Sequence, residues 1–531
     1  MSRGTESAFA GTWRLVRFGL RRDRVVLPVA VVALAGWMLL YPVQYEIYYP
    51  TQADINAYAA ATAGNAALEA FLGPGRALNT FDGLVGWEMG PVFSVIASLF
   101  AMFMVVRHTR ADEEDGRTEL LLSAPIGRLS QLAAALIITG GSLVVLSILW
   151  WIGLVAFGIS ATGTLAQVLA ILGCGLVFMS LTATITQVVS HARAARGVAG
   201  AFIGGFYVLR GAGDLGDSFL SWLSPIGWSI ATRPYSDPDW LVLLLPLTAT
   251  VALSVLAFSL CSRRDLGAGF LRPRPGPPSL SSRLPAPLAL AWRIQRGALR
   301  GWVLGLGLAA LLYGALGEEV EALIESSPQF TEALFAGGKE ITDSYFATML
   351  DFYAIVAAGF VIGSALRPAS EEKAGRAELV LASGVGKVRW ALSHISIAVF
   401  GAVLLMVVCG ALSGVGFGLV GGGFDRLFDL VAAGPVYVPA SLVLGGVAVL
   451  SFGFSPRASF VAWAALGLCA IVLTLQSLSA IGDWLADISP YNHLPLVPAQ
   501  PIEFQPLALL TLLAVLLTIS GLALWNRRDL T

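Results

Sequence analysis

Twelve runs of mostly apolar residues, each close to the roughly 17–25 that carry a helix across a bilayer, punctuate this chain. They fall at residues 25–43, 89–107, 131–157, 164–189, 197–212, 240–261, 301–317, 346–366, 391–420, 431–454, 458–480 and 507–525. In lipid every backbone polar group must be paired internally, which a helix does within one segment. The expected fold is therefore an all-α polytopic membrane protein with about twelve transmembrane helices. Composition agrees: 56% of the 531 residues are hydrophobic and only 13% charged, about half the charge of a soluble domain. Mean hydropathy is +0.76.

Other classes fall away. A net charge of −1, with no basic block interleaved with aromatics, argues against a nucleic-acid partner. Cys174, Cys261, Cys409 and Cys469 each sit alone in apolar stretches, as packing residues do. Four scattered histidines offer no metal site, and no catalytic cluster stands out. The run at 25–43 follows an Arg-rich prefix and no small-residue cleavage site comes after it, so it reads as an anchor and not as a cleaved signal.

Charge orients the spans. With the N-terminus inside, nearly all of the 33 Lys+Arg lie on cytoplasmic segments, with Arg76, Arg210, Arg233, Lys339 and Arg426 as the exceptions. Acids gather on the outer side, Glu318, Glu319, Glu321 and Glu325 among them. That is the positive-inside pattern, and it puts both termini in the cytoplasm.

The chain also repeats itself at an offset of roughly 260–280 residues. Trp13-Arg14-x-x-Arg17-x-x-Leu20-Arg21 returns as Trp292-Arg293-x-x-Arg296-x-x-Leu299-Arg300, and Glu69–Arg76 returns as Glu332–Lys339. Asp112–Arg128 aligns on Glu371–Lys387 without a gap. Arg196 matches Arg457, Ser224-Pro225 matches Ser489-Pro490, and Arg263-Arg264-Asp265-Leu266 matches Arg527-Arg528-Asp529-Leu530. An even number of spans per copy makes these parallel repeats. The expected organisation is an interfacial amphipathic helix at 1–24, a first six-span half at 25–266, a Pro-rich cytoplasmic linker at 267–291 and a second six-span half at 292–531. The prolines of 271–290 predict an extended stretch.

Each repeated piece has a plain and a functional reading. Trp13, Arg14, Arg17 and Arg21, with Trp292, Arg293, Arg296 and Arg300, are arginines at helical spacing beside apolar residues. They fit a helix lying in the inner interface toward lipid phosphates, whether as an anchor or as a lever. The segment after the second span, Asp112-Glu113-Glu114-Asp115-Gly116-Arg117-Thr118-Glu119-Leu120-Leu121-Leu122, and its copy from Glu371 through Leu381, predict a short helix with a charged start and an apolar run. Glu113–Arg117 and Glu372–Arg376 are expected as i,i+4 ion pairs. A solvated loop explains one copy. Retention of the acid–Gly-Arg-x-Glu-Leu-x-Leu core in both halves favours docking in another protein's groove.

On the outer side, Ala53–Leu72 and Glu318–Phe335 have helical character. The aromatics and prolines of 213–239 and 481–506 fit either an interfacial belt or short re-entering helices. Gly200/Gly204, Gly359/Gly363 and Gly410/Gly414/Gly418 are small-residue stripes suited to helix packing. Asp351 and Glu88 stand near outer ends of their expected spans and Arg210 near a rim, leaving no deep acid for a proton relay. Neither Gly386-Lys387-Val388 nor Gly338-Lys339-Glu340 fits a nucleotide-binding G-x-x-x-x-G-K-[ST], and G-x-S-x-G does not occur.

At the acid–Gly-Arg-x-Glu-Leu-Leu-Leu segment the chain resembles the membrane subunit of type-2 ABC exporters, in particular the duplicated twelve-span polyketide-antibiotic and multidrug (tetronasin-type) permeases. The resemblance spans nearly the whole chain, although the second copy departs at Ala374, Gly384 and Lys387. It implies an ATP-driven exporter of hydrophobic or amphiphilic compounds in a bacterial inner membrane. The chain itself carries no cofactor, and ATP and Mg sit on two copies of a partner ATPase. The docking residues it implies are Glu113, Gly116, Arg117, Glu119, Leu120 and Leu122, with Glu372, Gly375, Arg376, Glu378, Leu379 and Leu381. By the same analogy Phe93, Phe100, Phe103, Phe202, Phe206, Phe352, Phe360 and Trp463 are candidates to line a substrate path between the halves. The alternative is an ion-coupled carrier of the major facilitator type, which also has parallel six-span halves and a short Asp/Gly/Arg motif after spans two and eight.

Overall fold

The computed structural model describes residues 8–63, 66–122, 125–215, 218–265, 267–271, 286–317, 341–373, 375–476 and 483–528. The expectations for Glu318–Phe335, the Glu332–Lys339 repeat, Leu266, Ala374, Asp529-Leu530 and most of the Pro-rich linker lie outside these residues. Among the described residues all regular structure is helical. The chain divides into two units, Met1–Pro275 and Gly276–Thr531.

The first unit contains α1 (Thr12–Arg22), α2 (Val26–Tyr48), α3 (Gln52–Thr62), α4 (Ala66–Leu72), α5 (Phe81–His108), α6 (Arg110–Glu114), α7 (Arg117–Leu122), α8 (Ser130–Phe157), α9 (Ala161–Val188), α10 (Ala192–Leu215), α11 (Pro225–Ala231) and α12 (Leu244–Arg263). The second contains α13 (Ala286–Gly314), α14 (Ile341–Ala365), α15 (Arg367–Lys373), α16 (Arg376–Ala382), α17 (Lys387–Leu419), α18 (Leu427–Ala433), α19 (Val438–Phe454), α20 (Phe460–Gln476), α21 (Asp483–Ala486) and α22 (Phe504–Arg527). Side-chain caps fix several starts. The Thr80 hydroxyl accepts from Gly83 N at 3.1 Å to open α5, and Thr51 with Asp54 forms a capping box on α3.

Eleven of the described helices are long and apolar enough to cross a bilayer. They coincide with eleven of the twelve expected runs. The remaining run, 197–212, is α10, a 24-residue helix that Arg193, Arg196, Arg210 and Asp214 make less apolar. Arg210 is completely buried there, donating to Phe71 O at 2.6 Å and to Asp214 at 3.2 Å.

Both units have a tightly packed interior. In the first, Met102 and Val106 of α5 meet Cys174 and Phe178 of α9, Ala195 and Ala199 of α10, and Ile226 of α11. In the second, a Cβ added at Gly410 of α17 would strike Leu430 O at 2.1 Å, and one at Gly414 would strike Leu427 at 2.9 Å. That stripe lets α18 approach closely. Gly204 and Gly363, by contrast, face open space.

Two expectations about polar residues change. Span starts read from apolarity alone came too late, because α5 begins at Phe81 and α14 at Ile341. Glu88 therefore lies about 10 Å along its helix and Asp351 about 15 Å along its own, well inside and not at the ends. The outer segments also turn back into their units. Pro225 and Ile226 of α11 are buried, with Ser94 Oγ bonding Ser229 Oγ at 3.0 Å. Pro490 and Tyr491 are likewise buried, which an interfacial aromatic belt alone does not explain.

Candidate docking loops and their clamps

The segment after α5 is a helix–glycine–helix corner. Its φ of +70° at Gly116, and +68° at Gly375 in the second unit, lies in the left-handed region that glycine enters without strain. Each glycine breaks the chain between a short acidic helix and a short apolar one.

The acids Asp112, Glu113, Glu371 and Glu372 turn inward, and their partners are not the expected i,i+4 pairs. Arg117 donates to Asp112 at 2.9 Å and pairs with Asp115 at 2.9 Å. Glu113 instead binds Arg110 at 2.6 Å, and binds Arg264 through two contacts of 2.6 and 3.0 Å. In the second unit Arg376 donates to Glu371 at 2.7 Å, while Glu372 accepts two 2.8 Å bonds from Arg528. Helix geometry gives the reason. The positive-φ glycine between acid and base breaks the helical register that an i,i+4 pair needs.

The two corners are thus clamped alike. The first acid of each pair (Asp112, Glu371) holds the arginine after the glycine, and the second (Glu113, Glu372) holds the arginine at the end of the unit's last helix (Arg264, Arg528). The motif's final base closes the ring, Arg128 donating to Arg264 O and Lys387 Nζ to Arg528 O. Two repeated sequence elements, the loop motif and the Arg-Arg-Asp-Leu end, therefore meet in space. Beside the first clamp a cavity of about 370 Å³ opens, lined by Thr118, Arg128, Gln131, Cys261 and Arg264 among others.

What faces outward is the other side of the short helices. Leu120 is 77% exposed and Leu379, its aligned counterpart, 76% exposed. Glu119 and Glu378 are exposed beside them, and Leu381 is half-buried. Of the twelve residues singled out, Glu113, Arg117, Glu372 and Arg376 hold the corner, Gly116 and Gly375 bend it, and Glu119, Leu120, Glu378 and Leu379 present a surface. The side chain of Leu122 lies outside the described residues.

The first corner is also tied to α1. Leu15, Val16 and Gly19 of α1 pack on α8, leaving Trp13, Arg14, Arg17 and Arg21 exposed, with the Arg17 guanidinium 5.7 Å from the Trp13 ring. A turn at Asp23 separates α1 from α2. Asp23 is wholly buried, bound by Arg107 at 2.5 Å and with His108 Nε2 3.0 Å away. Burial pulls its pKa upward, but the bonds from Arg107 and the charges of Arg107, His108 and Arg22 prevail and hold it below the ordinary carboxylate value. Arg22 then reaches Asp112 with two 2.8 Å bonds, joining α1 to the corner.

The second copy of this piece is built differently. Trp292, Arg293, Arg296 and Arg300 belong to α13, which runs without a break from Ala286 to Gly314. Where the first copy has Arg22-Asp23, the second has Gly301-Trp302, so no buried acid anchors a bend. The helix also takes up 286–290, which the prolines predicted to be extended. Pro287 falls in the first turn, where its missing N–H costs nothing.

The aromatic candidates separate by burial. Phe93 is packed edge-on against Trp37, Tyr41 and Trp150, and Phe360 against Trp302, so with Phe100 they are interior rings. Phe206 contacts Phe178 and Phe202, and Phe103, Phe202, Phe352 and Trp463 are exposed. All four cysteines are free.

Eleven long apolar helices among the described residues define a multi-pass helical membrane protein. Residues 53–260 and 284–526 match the family model described as multidrug efflux system permease Rv1217c, C-terminal domain. A relative in Mycobacterium tuberculosis (strain ATCC 25618 / H37Rv), multidrug efflux system permease protein Rv1217c, is 35% identical over 530 residues, covering 98% of this chain and 96% of that protein. The chain belongs to this multidrug efflux permease family.

Proposed function

We propose that this permease is the membrane subunit of an ATP-driven exporter of the type-2 ABC class, powered by two copies of a separate ATPase. Its cargo is hydrophobic or amphiphilic: polyketide antibiotics, drugs or lipid-like molecules leaving a bacterial cell across the inner membrane. In this reading the protein has twelve spans in two parallel repeats, α10 being the fifth, with both termini cytoplasmic. The distribution of Lys and Arg supports that orientation. ATP and Mg reside on the partner.

One observation carries the reading. Each unit holds out a short helix whose leucine is about three-quarters exposed, on a base that ion pairs lock to the end of the unit's last helix. An exposed apolar side chain on a rigid, charged corner suits a groove in a partner, and its rigid base lets a push at the docking face move the helices behind it. In the first unit Arg22 extends that connection to α1.

The test is export by the double variant Leu120→Glu, Leu379→Glu. The reading expects loss of ATP-driven efflux and of ATPase co-purification, with normal membrane insertion. Unchanged export by a normally expressed double variant would contradict it.

A further inference from the structure

The two units each place an acid inside a long helix, and treat it differently. Glu88 on α5 is satisfied from within: the Tyr58 hydroxyl donates to its Oε1 at 2.8 Å, and Tyr45 bonds it as well. Asp351 on α14 is only 6% exposed, and its Oδ1 is completely buried with no hydrogen-bond partner among the described residues. A carboxylate kept in an apolar bundle without a partner is costly, and a fold retains one where something else completes it.

Donors stand nearby and are used elsewhere. The Tyr437 hydroxyl is directed to Ala347 O at 3.2 Å and Val497 O at 3.0 Å, and the Tyr491 hydroxyl to Ala354 O at 3.2 Å. Ala347 and Ala354 lie about one helical turn before and after Asp351, so two phenol rings bracket the acid without giving it a proton. Tyr491 is within its field: burial first, and then the charge of Asp351, push that phenol well above its ordinary range. Cys469 of α20 is also within electrostatic reach. α20 packs on α14 and α19 along one side, and little of its apolar stretch is buried. A carboxyl group set between two tyrosines offers an entering organic cation a counter-charge with aromatic surface beside it.

We infer that Asp351 is the recognition point for the positive charge of a cationic amphiphile, bracketed by Tyr437 and Tyr491. This names a substrate class for the export proposed above and rests on that reading for its physiological role. The binding step itself needs no ATPase. Glu88, already paired, takes no part.

The experiment uses the purified full chain in mild detergent and two probes of similar shape, tetraphenylphosphonium and the neutral triphenylphosphine oxide. Asp351→Asn is expected to weaken tetraphenylphosphonium binding roughly ten-fold or more, while triphenylphosphine oxide binding stays as in the parent. Asp351→Glu and Glu88→Gln are expected to keep the cation. Equal tetraphenylphosphonium affinity in parent and Asp351→Asn overturns the inference, as does an equal loss in Glu88→Gln. Should Asp351→Asn fail to fold, carbodiimide labelling of the unaltered chain decides: saturating tetraphenylphosphonium must protect residue 351, and unprotected labelling refutes the site. Charge-selective binding without ATP-driven export would leave Asp351 assigned and sink the ABC reading alone.

Discussion

Neutralising Glu113 is expected to be among the costliest single changes at the cytoplasmic corner. Arg110 and Arg264 both bond its Oε2, at 2.6 and 3.0 Å, so the two guanidinium nitrogens are no more than about 6 Å apart. Arg110 is 1% exposed and the Arg264 side chain 8%. Glu113→Gln leaves these cations facing one another. Two unit charges about 6 Å apart repel by ~3 kcal/mol at an effective dielectric constant of ~20. The amide still accepts one hydrogen bond but loses the charge-assisted part of the others. The expected destabilisation is ~3–5 kcal/mol, the range for breaking a buried pair from one side. For a unit of this size that is a fall of roughly 6–10 °C in unfolding temperature, readable by thermal shift in detergent. Glu372→Gln is the internal comparison. Glu372 faces Arg528, with Trp525 Nε1 at 3.4 Å, and among the described residues no second guanidinium bonds it. Its shift is expected to be less than half as large. A Glu372→Gln effect equal to or greater than that of Glu113→Gln would refute the reasoning.

Gly116→Ala and Gly375→Ala force a side chain into left-handed backbone at φ +70° and +68°, costing ~1–2 kcal/mol each. A Cβ at either position meets open space, so any lost export in transport assays reflects the bend and not a clash. Leu120→Glu and Leu379→Glu should leave the unfolding temperature unchanged, separating the presenting surface from the clamp. Asp23→Asn should lower the unfolding temperature at neutral pH. The folded pKa of Asp23 lies below the ordinary 3.8, so its contribution is complete above that value and is lost as pH falls through the folded pKa. The gap between the variant and the parent should therefore hold from pH 7 to about 5 and close below 3.8.

The helices were legible wherever apolarity runs unbroken. α10 fell short because Arg210 and Asp214 dilute its apolarity, and that dilution reflects an ion pair sealed inside the unit. The depth of Asp351 and Glu88 was missed for the opposite reason. Their helices begin with polar turns, Thr342-Asp343 and Asp82, that an apolarity reading assigns to loops. The corner's acids, glycines and following arginines were visible as a repeated motif, and so was the Arg-Arg-Asp-Leu end, whereas Arg110, which holds Glu113, lies outside that motif. The bond between them joins positions 151 residues apart in the first unit and 156 in the second, which no local spacing rule reaches. The different treatment of α1 and α13 had a signal in the chain: Arg22-Asp23 against Gly301-Trp302. Only packing reveals that Asp23 is buried among bases and fixes a turn.

Leu120 and Leu379 are the positions proposed to meet an ATPase. The direct measurement places a photo-crosslinking residue at each position in turn, irradiates native membranes and identifies what is captured by mass spectrometry. The account expects one ATPase polypeptide captured at both positions and not from lipid-facing control positions. A chain that crosslinks to no ATPase at either position, yet still moves substrate in ATP-free vesicles under an ion gradient, would contradict it.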